Sequence, residues 1–132
     1  EEEKGHDKIL KDDLRRLGIN EIPVYHQAAQ IAGSQYYLIA HEHPCMLLGY
    51  MHALEKNTLQ PEEVDELSKY HGIELKALKH HAEHDPYHKQ DIENMVKLLS
   101  PTLRSKVEWN EYHVNNSIIE ALGRINADQP RI

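Results

Sequence analysis

The stretch "HHAEHDPYH", residues 80 to 88, places four of the chain's eleven histidines and two acids within nine positions. It belongs to a segment of helical character, residues 73 to 99, and an amphipathic helix buries positions that alternate three and four apart. Along this segment the buried stripe reads Leu78, His81, Asp85, His88, Ile92, Met95 and Leu99. Three ionisable residues therefore replace three consecutive apolar ones on the face that should meet the core.

These three ionisable residues are predicted to act as metal ligands. At about 100° per residue they lie within an arc of roughly 60°, stacked over two turns. Burying a carboxylate and two imidazoles is costly unless each is hydrogen-bonded or coordinated, and one divalent cation can satisfy all three. His80 and His84 flank the stripe and are expected to be solvated or to support the ligands from outside. Pro86 is expected to bend the helix.

Two other segments carry acids at positions where a metal ligand would fit. Glu3 and His6 are three apart, which is the E-x-x-H spacing by which one helix presents a carboxylate and an imidazole to a metal. The alternative is that Glu3 belongs to a run of acids that complements a helix N-terminus. Glu55 continues a buried stripe near a helix end, and its alternative is an exposed terminal glutamate. Gly49, in the same helix, is disfavoured by about 1 kcal/mol relative to alanine and predicts close approach of a neighbouring helix or a ligand.

The elements that must position these residues are all predicted to be helices. The chain has no Phe, and no stretch alternates apolar and polar residues as a strand would. Gly18 and Gly72 are placed to end helices, Pro44 to begin or kink one, and Ser100 with Pro101 to start the last. The six predicted helical segments comprise residues 1–18, 22–43, 44–57, 61–72, 73–99 and 101 onward. With 132 residues, 39% of them hydrophobic, the chain predicts one all-α helical-bundle domain over residues 1–132.

Three motifs together resemble those of a known family, the haem-oxygenase-like di-iron oxidases. They are H-x-x-x-D-x-x-H from His81 to His88, "LGYMHALE" ending at Glu55, and the upstream "EEKGH" ending at His6. The resemblance implies a haem-oxygenase-like bundle that holds two iron ions and activates dioxygen to oxidise a small organic substrate. Glu2 is an alternative to Glu3 within it. The implied ligands are Glu3, His6, Glu55, His81, Asp85 and His88.

This implied set of three imidazoles and three carboxylates is a mixed nitrogen and oxygen shell. Such a shell suits iron or manganese better than metals that prefer thiolates, although zinc also remains compatible with it. Family members carry further helices before the "EExGH" segment. The resemblance therefore implies that the chain is the C-terminal part of a larger family domain, or that it completes its bundle by forming a homodimer.

Two alternative functions stay open. One is a non-catalytic helical module that binds metal for stability. The other is a metal-free, thiaminase-like or cofactor-biosynthesis protein, which would need a nucleophile. Cys45 is the single cysteine, and it follows Pro44 near a helix start, where a thiolate would be favoured.

The charge balance and cysteine content narrow the partners and the setting. Lys and Arg number 15 against 22 Asp and Glu, and the formal net charge of -7 argues against nucleic acid as a partner. One cysteine forms no internal disulfide, which favours a reducing, cytoplasmic setting. No apolar run approaches the roughly 20 residues that span a bilayer, so we expect no membrane association.

Overall fold

Six α-helices account for most of the chain in this computed structural model, which describes residues 5–21 and 25–128, the last four of these by backbone alone. No strand occurs among the described residues, so the prediction of an all-helical bundle is confirmed. In chain order the helices are α1 (His6–Arg16), α2 (His26–His41), α3 (Met46–Glu55), α4 (Pro61–His71), α5 (Lys76–Lys97) and α6 (Pro101–Asp128).

Most helix ends lie where the sequence places them. Gly18 and Gly72 adopt left-handed conformations, with φ of 82° and 68°; Gly72 directly follows α4, and Gly18 lies two residues beyond the end of α1. The Ser100 hydroxyl oxygen accepts a hydrogen bond from the Leu103 amide at 3.4 Å, as expected of a residue that caps α6. Pro44 separates α2 from α3, so it marks a new helix rather than a kink. α5 continues through Pro86, and a bend there stays a prediction.

The first helix is shorter than predicted. α1 begins at His6, because Gly5 has a φ of 104°, which lies outside the helical range. Glu3, predicted to share a helix with His6, and its alternative Glu2 lie outside the described residues. The E-x-x-H pairing therefore stays a prediction.

α3 lies at the centre of the packing. It contacts α6 most extensively, and also α5 and α2, while α1 and α4 pack against α5. Gly49 permits the approach of α3 to α6, since a Cβ at this position would lie 2.3 Å from the Val107 carbonyl oxygen. The predicted close approach at Gly49 is thus confirmed, and the neighbour is a helix.

A buried asparagine joins three helices around this contact. Asn110 on α6 donates hydrogen bonds to the Met46 carbonyl oxygen at 2.7 Å and to the Gln35 side-chain oxygen at 2.8 Å. The side chains of Asn110 and Gln35 are both buried, and each has a hydrogen-bond partner. This network fixes α2 and α3 against α6.

Asp13, on α1, caps the N-terminus of α5. It is buried on α1, and its Oδ2 accepts a hydrogen bond from the Ala77 amide, in the first turn of α5, at 2.8 Å. The carboxylate satisfies an amide that has no partner within its own helix and complements the positive end of the helix dipole. This capping role of Asp13 was not predicted from the sequence.

We expect Asp13→Ala to lower the free energy of unfolding by about 1–2 kcal/mol, the usual cost of losing a helix cap. Urea denaturation would measure the change. Asp12→Ala is the control, because Asp12 is exposed and pairs with Arg15 on the surface, where an ion pair contributes about 0–1 kcal/mol. Equal losses in the two variants would contradict the capping role.

Candidate metal centre

Glu55, Asp85 and His88 come together between α3 and α5. Glu55 is the last residue of α3, and the other two lie on α5. One ligand atom of each lies within 4.8 Å of those of the other two. The Glu55 side chain is only 14% exposed, and its Oε2 is 3.6 Å from Nδ1 of His88. The alternative of an exposed terminal glutamate is therefore wrong.

Asp85 is the most buried member of this group, as its place on the stripe predicts, with 4% of its surface exposed. Both of its oxygens have partners. Nδ1 of His81 lies 2.9 Å from Oδ1, and the Thr58 hydroxyl donates a hydrogen bond to Oδ2. With an ionised carboxylate and a neutral imidazole, the Nδ1–H group of His81 is the donor and Nε2 carries the lone pair.

His81 and His88 lie on opposite sides of Asp85 along α5. His81 comes four residues earlier and His88 three residues later, so each is about one helical turn away. Both are partly buried, with side chains 38% and 23% exposed. The predicted stripe is therefore most buried at Asp85, and exposure to solvent increases toward the two histidines.

His6, the first residue of α1, reaches the side of Asp85 on which His81 lies. Its ring centroid is 5.5 Å from that of His81 and 4.4 Å from that of His80. His84 is exposed, stacks on His80, and has its Nδ1 2.8 Å from the His80 carbonyl oxygen. Three predicted ligands thus form one group, His81 adjoins it through Asp85, and His6 adjoins His81.

A second polar cluster, which sequence reasoning missed, lies one turn from Glu55 along α3. The His52 ring stands between two carboxylates, with Nδ1 2.8 Å from Glu111 on α6 and Nε2 3.6 Å from Glu93 on α5. Lys56 also approaches Glu111, at 3.2 Å. The spacing of His52 and Glu55, three apart on one helix, is the signal that could have indicated a shared face.

Cys45 is placed differently from what a nucleophile needs. It is partly buried just before α3, and burial raises the pKa of its thiol, which the positive charge of Lys106 only partly offsets. Lys106 itself donates a hydrogen bond to Glu42 at 2.7 Å. The raised pKa disfavours the metal-free alternative, which relied on a thiolate at a helix start.

We expect Cys45 to react slowly with iodoacetamide at pH 7.5, because a raised pKa leaves less thiolate at neutral pH. The rate should keep rising as the pH passes the ordinary thiol range, toward the raised pKa. The same protein in guanidinium chloride is the control, since unfolding removes the burial. A native rate equal to or above the unfolded rate at pH 7.5 would show that the thiol is activated.

Comparisons with known proteins add no assignment to this geometry. No family model matches the chain, and neither a curated protein nor a solved structure is significantly similar to it. The resemblance to haem-oxygenase-like di-iron oxidases therefore stays a prediction that rests on the residues. Across the part of the chain that the structure describes, each helix is too short or too polar to cross a membrane.

Proposed function

We propose that Glu55, Asp85 and His88 form the centre of a non-haem iron site, and that the protein is an iron-dependent oxidase. The observation that carries this proposal is the meeting of two carboxylates and one imidazole from two helices, around an aspartate that is 4% exposed. Two carboxylates that are partly or fully removed from water favour a cation between them.

The donor atoms fit iron. Two carboxylates and an imidazole offer oxygen and nitrogen ligands, which suit iron or manganese, and zinc can also use them. The group includes no thiolate, so nothing in it selects a softer metal. The charge also fits, because Glu55 and Asp85 together contribute -2 when ionised, which one divalent cation neutralises.

A second ion would use the residues on the other side of Asp85. His81 lies there. Because its Nδ1 faces Asp85, its Nε2 is the nitrogen that would bind an ion. His6 adjoins His81 across the α1–α5 contact. Asp85 has ligand candidates one turn away in each direction, which makes it the residue best placed to contact two ions. We propose that a second ion binds on this side of Asp85, which would complete a two-iron centre.

The chain's own residues would hold and orient such a centre. Glu55 and Asp85 supply negative charge from different helices, while His81 and Thr58 hold the two Asp85 oxygens. Bound iron would supply the activation of dioxygen for oxidation of a small organic substrate. We further propose a cytoplasmic setting, where reducing conditions keep both ferrous iron and Cys45 reduced.

Anaerobic titration with ferrous iron, followed by mixing with oxygenated buffer, tests the proposal. We expect about two ions per chain, as in two-metal sites, followed by iron oxidation and oxygen uptake. His88→Ala should lose most of the binding. His113→Ala is the matched control, because His113 packs against Trp109 on α6. If iron binds but oxygen is neither consumed nor reduced, the oxidase role should be abandoned.

A structural metal is the second candidate, because Glu55 and Asp85 would link α3 to α5 through the ion. A ligand present at 100 times its dissociation constant stabilises the folded state by about 2.7 kcal/mol. A structural role predicts that chelator lowers the melting temperature strongly and that the loaded protein consumes no oxygen. Melting with and without chelator, beside the oxygen measurement, separates the two functions.

A further inference from the structure

Thr58 lies between α3 and α5, next to the proposed centre. It lies in the turn after α3, three residues beyond Glu55, and its side chain is partly buried. Its hydroxyl donates a hydrogen bond to Oδ2 of Asp85 on α5. The same oxygen lies 3.4 Å from the Glu55 carbonyl oxygen at the end of α3.

Thr58 donates its hydroxyl hydrogen to the Asp85 carboxylate rather than to the Glu55 carbonyl oxygen. A threonine hydroxyl has one hydrogen to donate. The Asp85 contact is the shorter of the two, and a donor bonds more strongly to a charged carboxylate than to a neutral carbonyl oxygen. Thr58 therefore acts on the carboxylate.

The turn that carries Thr58 is held on both sides. The Asn57 side chain donates hydrogen bonds to the Ala53 carbonyl oxygen and to the Asn115 side-chain oxygen, both at 3.0 Å. Leu59, on the other side, packs against the core cluster formed by Val64, Leu75 and Ala82. Because its neighbours are anchored to α6 and to the core, Thr58 presents its hydroxyl from a fixed position.

Asp85 is consequently fixed at both oxygens before any ion binds. His81 holds Oδ1 at 2.9 Å, and Thr58 holds Oδ2. Each carboxylate oxygen has two lone pairs, so each retains one for a cation after accepting a single hydrogen bond. A carboxylate held in this way loses little rotational freedom on binding metal.

We propose that Thr58 is a positioning residue that orients the Asp85 carboxylate for cation binding. This inference rests on the proposed function, since it requires that Asp85 binds a metal ion. Removing an outer hydrogen-bond partner of a metal ligand typically lowers metal affinity by about 10–100-fold.

The test compares Thr58→Val, Thr58→Ala and Thr58→Ser. Valine matches the shape without the hydroxyl, alanine leaves space, and serine restores the donor. Titration with Mn²⁺, followed by the electron paramagnetic resonance signal of the free ion, gives the affinity. Absorption bands of bound Co²⁺ report the ligand geometry, and melting curves in chelator show that each variant is folded.

We expect the valine and alanine variants to bind Mn²⁺ about tenfold or more weakly and to shift the Co²⁺ bands, with serine close to the wild type. Wild-type protein that binds neither ion would overturn the proposed function and this inference with it. Wild-type binding that valine and alanine leave unchanged would overturn the inference alone. A serine variant as weak as valine would also overturn it, because the hydroxyl would then not be the cause.

Discussion

Asp85→Asn is expected to abolish most metal binding while leaving the metal-free protein as stable as the wild type, or more stable. The substitution keeps the size of the side chain and removes the negative charge. The amide oxygen can still accept the hydrogen bond from Thr58, and the amide NH2 group can donate to Nδ1 of His81 once that ring carries its hydrogen on Nε2. We expect a loss of affinity of more than about 100-fold, beyond the effect of removing an outer partner. In the metal-free protein, neutralising one of two neighbouring buried carboxylates should be neutral or stabilising by about 1 kcal/mol.

Asp13→Asn is the matched control for this experiment. Asp13 and Asp85 are both 4% exposed, but Asp13 accepts a hydrogen bond from the start of α5 rather than facing the metal group. The control should show the opposite pattern, with unchanged metal affinity and a modest loss of stability. Metal titration and chelator-treated thermal melting measure the two effects separately. An Asp85→Asn protein that binds Mn²⁺ like the wild type would remove Asp85 from the ligand set.

Gly49→Ala is expected to destabilise the folded protein, because Gly49 is the glycine at which an added Cβ would meet backbone atoms of another helix. The added carbon would lie 2.3 Å from the Val107 carbonyl oxygen and 2.9 Å from the Glu111 amide nitrogen. Both are backbone atoms, so no side chain can turn away, and α3 must move from α6. Overpacking of this kind costs about 1–3 kcal/mol. Separating the helices also stretches the 2.7 Å hydrogen bond from Asn110 to the Met46 carbonyl oxygen.

We therefore expect a net loss of about 1–3 kcal/mol, because the weakened hydrogen bond adds about 1 kcal/mol to the overpacking cost and the better helix propensity of alanine offsets about the same amount. Gly33→Ala provides the control. Gly33 lies within α2, and a Cβ there meets nothing within 4 Å. The same change should stabilise the protein there by about 0.5–1 kcal/mol. Urea denaturation measures the free energy of unfolding of both variants. A gain of stability in Gly49→Ala like that in Gly33→Ala would show that α3 and α6 approach each other less closely than described.

The features that were predictable from the sequence are mostly local. Gly18, Gly72 and Ser100 end or begin helices because of backbone conformations and capping groups that depend on a few neighbouring residues. Helical periodicity likewise placed Asp85 on an inward face, where it is buried. These properties can be deduced without knowing which helices meet.

Contacts between distant segments were not predictable in the same way. Thr58 lies in a turn and has no periodic pattern, so its contact with Asp85 becomes visible only when α3 packs on α5. The capping role of Asp13 was likewise not predictable, because the amide that it accepts a hydrogen bond from lies in another helix. His52 requires the meeting of three helices before its two carboxylate neighbours can be identified.

The hydrogen bond between Asp13 and the Ala77 amide joins residues 64 positions apart in the chain. The Ala77 amide, in the first turn of α5, is therefore protected from solvent exchange by α1, and only while that helix remains docked. Amide exchange at Ala77 would therefore report the undocking of α1 rather than simple fraying of α5. His6 lies on the same helix as Asp13, so undocking of α1 would also carry the His6 ring away from His81, and exchange at Ala77 would report how often this happens.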